Sequence, residues 1–342
     1  MTSLAAIILA AGKGTRMKSA RAKVTFPLAG KPMIQRVVDT AIQTDCDKIY
    51  VVVGYQKDSV IACLEEDKRL EFVEQTEQLG TGHAVMMTEP MFDSSAEDVL
   101  ILCGDVPLLT SETLHKLCQV HRNSRAACTV LTAWLDDAGK YGRILRVDEH
   151  QISGIVEYKD ATPEQLEIQE WNTGIYCFNT AALFTALKQI SNANQQQEYY
   201  LTDVVAILHQ SGQKVASVVL DNLSEVAGVN SQEQLAELED QFIAGIRKHW
   251  LNNGVVIHNP QTVYIGDEVV LEQDVEIGQN CVLQGKCMLQ EGACVGAGCY
   301  LQDSLLGENS ILEGHNILVN AHIPDNHIVS FGEQVIEESI YE

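Results

Sequence analysis

Leu4-Ala5-Ala6-Ile7-Ile8-Leu9-Ala10-Ala11-Gly12-Lys13-Gly14-Thr15-Arg16-Met17 is an apolar run that gives way to glycines and basic side chains. A near-continuous Leu/Ile/Ala run reads as a strand covered on both faces of a sheet. Glycines at its exit let backbone amides approach an anion closely, and Lys13 and Arg16 supply the opposite charge. The stretch has neither the P-loop pattern nor a complete dinucleotide fingerprint. It reads as the opening strand of an α/β sheet whose exit turn holds phosphate, at the edge where such sheets bind ligands.

The 342-residue chain carries 23 Lys and Arg against 47 Asp and Glu, a formal net charge of −24. So acidic a surface argues against nonspecific nucleic-acid partners and against an anionic membrane. Yet no Asp or Glu precedes Asp39, whereas Lys13, Arg16, Lys18, Arg21, Lys23, Lys31 and Arg36 all do. A locally basic start on an acidic chain fits a small anionic ligand. The apolar run from Leu4 to Ala10 is too short to cross a bilayer and lacks a charged segment before it, so neither signal nor membrane span is expected. Ten cysteines without C-x-x-C spacing read as reduced, buried thiols, which points to the cytoplasm.

Working outward, residues 4–10, 48–53, 98–103 and 215–220 read as strands, and residues 32–44, 111–122, 180–187 and 202–210 as helices. Strands alternating with such helices predict crossovers and a mostly parallel, twisted sheet. Between residues 127 and 178 consecutive strands, including 142–146 and 152–157, predict an antiparallel insertion beside it. Ser231 then opens a long polar helix that Gly254 closes.

Beyond Gly254 every sixth residue is apolar or small: Ile257, Val263, Val269, Val275, Cys281, Cys287, Ala293, Cys299, Leu305, Ile311, Ile317 and Ile323. A fixed period of six is foreign to a helix face and is the mark of a parallel β-helix. The second residue after each is apolar from Ile265 through Leu301, and Gly266, Gly278, Gly285, Gly292 and Gly298 suit tight corners. Cys281, Cys287 and Cys299 then pack the interior. The expected organisation is a nucleotide-handling domain over residues 1–230, a connecting helix over 231–253, a hexapeptide β-helix over 254–330, and an acidic tail over 331–342.

The nonapeptide LAAGKGTRM at residues 9–17, followed by Lys23, resembles the signature of the sugar nucleotidyltransferases. Further segments resemble one branch, the bacterial N-acetylglucosamine-1-phosphate uridylyltransferases: EQLGTGHA at 77–84, GDVPL at 104–108, YGR at 141–143, IVEYKDAT at 155–162, NTG at 172–174, EYYLTD at 198–203 and GVN at 228–230. The resemblance spans residues 5–230. It implies a Rossmann-like α/β domain followed by a short left-handed β-helix, and in-line transfer from UTP to N-acetylglucosamine-1-phosphate with Mg²⁺. It assigns the Leu9, Ala10, Ala11 and Gly12 backbone to the uridine side, and Arg16 and Lys23 to the phosphates. Gln75, Gly80 and Thr81 would read uracil. Asp105, beside Gly104, and Asn230 would hold the metal, and Gly142, Glu157 and Asn172 the sugar.

Two positions depart from the family. Lys23 follows Ala22 where proline is usual, which predicts a looser loop, and Cys103 stands where tyrosine is common. The resemblance also implies a homotrimer built on the β-helix. Longer relatives carry an acetyltransferase site in further coils; here the hexapeptides fade near Ile323 after about four coils, which predicts that acetyl transfer is missing.

Blander readings exist for single residues, since Asp105 can cap a turn and Asn230 a helix. Three other functions compete: transfer to another sugar phosphate or from another NTP, a silent nucleotide-sugar-binding protein, and a β-helical acyltransferase.

Overall fold

The computed structural model describes residues 3–93, 95–148 and 151–336. The chain divides into two units: one takes in residues up to Gln232 except Leu28–Gly30, the other those three residues and the chain from Glu233 onward.

The first unit is organised by its opening strand, Leu4–Leu9. Alternate side chains of a strand face opposite ways, and here both directions are covered. Ala6 and Ile8 join the core beneath helices Met33–Gln43 and Ser111–Ser124, while Ala5 and Ile7 join the core under helices Thr180–Leu187 and Asp203–Gln210. All four residues are fully buried. The sheet runs Val215–Val219, Cys128–Trp134, Glu170–Asn179, Asp98–Cys103, Leu4–Leu9, Lys48–Val53, Leu70–Glu74. Leu4–Leu9 pairs in parallel with both neighbours, and the chain leaves it toward one side and returns later on the other. That switch point opens a crevice at the carboxyl ends of the strands, where Gly12 emerges.

The antiparallel segment differs from its sequence expectation. Cys128–Trp134 and Glu170–Asn179 belong to the main sheet, with Glu170–Asn179 running antiparallel between two neighbours. Only the Arg143–Asp148 and Gln151–Val156 hairpin stands aside, joined through the Trp171 and Arg143 pair. Strand Leu70–Glu74 and the short helices Lys57–Ala62 and Thr81–Met86 were not anticipated.

In the second unit, helix Gln232–Asn252 ends before Gly254, which takes a φ of 89°. A left-handed parallel β-helix follows, its short strands stacked in three sheets. Ile257, Val263, Val269, Val275, Cys281, Cys287, Ala293 and Cys299 all point into the core. Past Leu301 the register slips. Leu283 pairs with Leu301 eighteen positions on, but Leu289 pairs with Leu306, seventeen on. The shortened turn makes Leu306, Leu312 and Leu318 the fully buried residues and moves Leu305, Ile311 and Ile317 out of the interior. Coiling continues past Ile323, because Gln334–Ile336 pairs with Ile317–Val319. The rest of the expected acidic tail, residues 337–342, lies outside the described residues.

Corners are shared between residue types. Gly285, Gly292 and Gly298 have positive φ, as do Asp274, Asn280, Asp303, Asn309, His315, Asn320 and Asn326, whereas Gly266 and Gly278 do not. Asn and Asp visit this region because their short side chains bond locally. All ten cysteines are free thiols and seven are buried. Among the described residues no helix is long and apolar enough to cross a membrane.

Candidate active site

Gly14 sets the exit turn. Its φ of 60° and ψ of 43° are left-handed, and a Cβ there would lie 2.6 Å from that of Lys23. Glycine therefore lets the turn fold onto Lys23. The next residues form a 3₁₀ turn, Thr15–Met17, that carries Arg16 outward. Ala22 has φ −60° and ψ 132°, the backbone that a proline would impose. The Lys23–Thr25 turn behind it is tied by the Thr25 hydroxyl donating to the Ala22 carbonyl at 2.8 Å and by Arg21 Nε donating to Thr25 Oγ1 at 3.0 Å. The expected looseness is thus offset by side-chain bonds.

Four distant residues meet at this turn. The Lys23 ammonium pairs with the Asp105 carboxylate and donates to Asn230 Oδ1 at 3.1 Å, and Arg16 Nη2 donates to the same Asn230 oxygen at 2.8 Å. Backbone bonds fix the partners: the Gly104 N–H donates to Leu9 O and the Val229 N–H to Asp105 O, each at 3.0 Å. Two protein oxygens thereby converge on one cation. That donor set suits a divalent ion of the magnesium kind, which takes few protein oxygens and draws the rest from phosphate and water. Among the described residues no cluster of three or more His, Cys, Asp or Glu offers a fuller metal cage.

A cleft of about 500 Å³ opens beside this group, lined by Leu9, Ala10, Ala11, Gly12, Lys23, Gln75, Gly80, Thr81 and Asp105 among others. Buried Gln75 forms its floor, donating through Nε2 to the Gly80 carbonyl at 3.1 Å, with His83 Nδ1 at 3.0 Å from the same nitrogen. Gly80, at φ 108°, leaves no room for a Cβ, which would come within 2.6 Å of the Tyr199 carbonyl.

Gly142, Glu157 and Asn172 form a second group. The Asn172 N–H donates to Gly142 O at 2.9 Å, and a Cβ on Gly142 would lie 3.6 Å from Glu157 Oε2. Thr202 Oγ1 donates to Glu157 Oε1 at 3.0 Å, and Asn172 Nδ2 to the Tyr176 hydroxyl at 2.7 Å. Burial pushes the Glu157 carboxyl above its ordinary range; the Thr202 bond opposes this, and Asp203, Asp160 and Glu198 add to it. Glu198 also lines the cleft, so the two groups adjoin, and burial pushes the Tyr141 phenol above its ordinary range, with Asp105 adding to this and Arg16 opposing it. Cys103 lines the cleft as well, its thiol pushed up to about 12 by burial, so it stays protonated.

Sequence reasoning gave no role to His83, Glu198, Cys103 or Thr202. Three of them sit inside the family-like segments at 77–84 and 198–203, and Cys103 immediately precedes a third at 104–108, so the signal was position and not residue type.

A family profile described as nucleotidyl transferase matches residues 5–253. Bifunctional protein GlmU of Shouchella clausii is 41% identical over 334 residues, covering 94% of this chain and 73% of the relative. The Heliobacterium modesticaldum protein of the same name is 42% identical over 321 residues, covering 94% and 69%. A solved structure of UDP-glucose pyrophosphorylase complexed with UDP-glucose shares the fold, with a TM-score of 0.58 at 19% identity over 72% of this chain and 100% of that one. Fold, cleft and relatives agree: the chain belongs to the nucleotidyl transferase family, as a GlmU-like sugar-1-phosphate nucleotidyltransferase.

Proposed function

We propose that the chain transfers a uridylyl group from UTP to N-acetylglucosamine-1-phosphate, with Mg²⁺, releasing pyrophosphate. A phosphate oxygen of the sugar phosphate attacks the α-phosphorus, that P–O bond forms, the bond to the β-phosphate oxygen breaks, and pyrophosphate leaves. Catalysis is then positioning and charge neutralisation. The observation that carries the reading is the convergence of Arg16, Lys23, Asp105 and Asn230 beside the cleft at Gly12.

In this reading the Leu9 to Gly12 backbone, Gln75, Gly80 and Thr81 hold the uridine. Arg16 and Lys23 meet the phosphates and the charge that develops on them. Asp105, next to Gly104, and Asn230 would hold the metal, which would supply charge neutralisation. Gly142, Glu157 and Asn172 bind the sugar, rejecting analogues that leave their buried polar groups unpaired.

We place the enzyme in the cytoplasm, where ten free thiols stay reduced. We propose a homotrimer through the β-helix, one face of which presents Val256, Ile311 and Ile328 outward; light scattering that gives a monomer mass at micromolar protein refutes this. We propose further that the chain transfers no acetyl group. His258 is bound to Glu276 at 2.6 Å and His315 packs edge-on against Phe331. Acetylation of glucosamine-1-phosphate from acetyl-CoA overturns that statement. The deciding experiment for the main reading is a matrix of NTPs against sugar-1-phosphates, scored by pyrophosphate with and without Mg²⁺. Preference for another pair corrects the substrate; no release with any pair sinks the reading.

A further inference from the structure

Arg143 is 3% exposed and makes no ion pair among the described residues. A buried charge without a counter-ion is costly unless its donors are satisfied. Here main-chain carbonyls satisfy them. Nη2 donates to Gly139 O at 3.0 Å, Nη1 to Ala138 O at 3.3 Å and to Tyr141 O, and Nε to Leu166 O at 3.4 Å. The loop over residues 138–141 is thus wrapped around one guanidinium, with the Gly139 backbone at a φ of 47° to complete the curl.

The wrapped loop ends at Gly142. Its carbonyl is held by the Asn172 N–H, while the Tyr141 ring lies tilted by 31° against that of Trp171, with centroids 4.1 Å apart. Only a planar fork of five donors reaches so many carbonyls together; a lysine ammonium concentrates three donors at one point. We propose that Arg143 is a positioning residue for sugar-phosphate binding, its guanidinium serving as the internal template for the loop that presents the Gly142 main chain. This rests on the reading that Gly142, Glu157 and Asn172 hold the sugar.

The test is the full chain as Arg143→Lys and Arg143→Ala, assayed with whichever sugar phosphate and NTP the wild type turns over. The KM for the sugar phosphate rises roughly ten- to a hundredfold while the KM for the NTP stays within about twofold, as expected for a displaced binding loop. Amide exchange over residues 138–142, followed by mass spectrometry without substrate, quickens in Arg143→Lys and stays unchanged over residues 9–17. Should Arg143→Ala fail to fold, Arg143→Lys alone decides. Unchanged exchange in the loop, or both KM values rising together, overturns the proposal. A wild type inert toward every sugar phosphate refutes the function instead, and the exchange measurement still judges Arg143.

Discussion

Lys23 holds its ammonium between the carboxylate of Asp105 and the side-chain carbonyl of Asn230, residues 82 and 207 positions away along the chain. An ammonium and a divalent ion want the same oxygens. With Asp105 and Asn230 as the proposed holders of the metal, Lys23 competes with the ion for those oxygens, and arriving phosphates would draw the lysine off.

This exchange predicts the behaviour of Lys23→Met. Without nucleotide, Mn²⁺ binding measured by electron paramagnetic resonance tightens about tenfold, the equivalent of about 1.4 kcal/mol of lost competition. Turnover falls because no ammonium reaches the phosphates. Asp105→Ala loses Mn²⁺ binding and slows pyrophosphate release on the order of a hundred- to a thousandfold. Equal Mn²⁺ affinity in wild type and Lys23→Met would show that the metal sits elsewhere.

Glu157 predicts a pH dependence of stability. Burial raises its folded-state pKa above the unfolded value near 4.5, and burial raises Asp203 beside it in the same sense. Between the unfolded value and the raised one, the folded chain binds more protons than the unfolded chain, so stability falls as pH rises through that window. Glu157→Gln keeps an acceptor for Thr202 but removes the titration. It loses part of that decline, Asp203 retaining the rest, and is more stable than wild type at neutral pH, while its KM for the sugar phosphate rises. Denaturant melts at intervals from pH 4 to 8 decide the matter; parallel profiles for the two proteins would refute it.

Ala22 already has a proline's φ, and among the described residues its N–H donates to no partner. Ala22→Pro should stabilise the chain by about 0.4–1 kcal/mol by restricting the unfolded state, with turnover kept. A loss of stability would mean that the turn before Lys23 cannot accept the ring.

The parts of this structure that follow local rules were legible. The opening strand, the parallel crossovers and the period of six through Leu301 all rest on side-chain alternation, which a sequence displays. The register slip was hidden because both phases are apolar there: Leu305 and Leu306, Ile311 and Leu312, Ile317 and Leu318 are adjacent pairs. The central antiparallel strand Glu170–Asn179 was hidden because strand order depends on long-range pairing. Asp105, Asn230 and Lys23 could be named together only through resemblance; nothing local says that they meet. Arg143 carried no mark of burial at all, since a guanidinium satisfied by carbonyls looks in sequence like any surface charge.

The slip also places polar residues inside the β-helix, and they predict opposite effects. Asn316 is fully buried and fully used: Nδ2 donates to Ser330 O at 2.7 Å and Glu333 O at 3.2 Å, and Oδ1 accepts from the Gly314 N–H at 3.0 Å. Asn316→Ala strands the buried Gly314 amide and removes one of two bonds from each of the Ser330 and Glu333 carbonyls, which keep the Glu333 and Ile317 N–H donors, a cost of about 1–3 kcal/mol. Ser310 is equally buried, yet its hydroxyl has no partner among the described residues. Ser310→Ala removes an uncompensated desolvation penalty and should leave stability unchanged or raise it by about 1 kcal/mol. Urea melts of the two variants separate them by sign. If Ser310→Ala destabilises the chain as much as Asn316→Ala does, the serine hydroxyl is bonded in solution and the interior is satisfied at that corner after all.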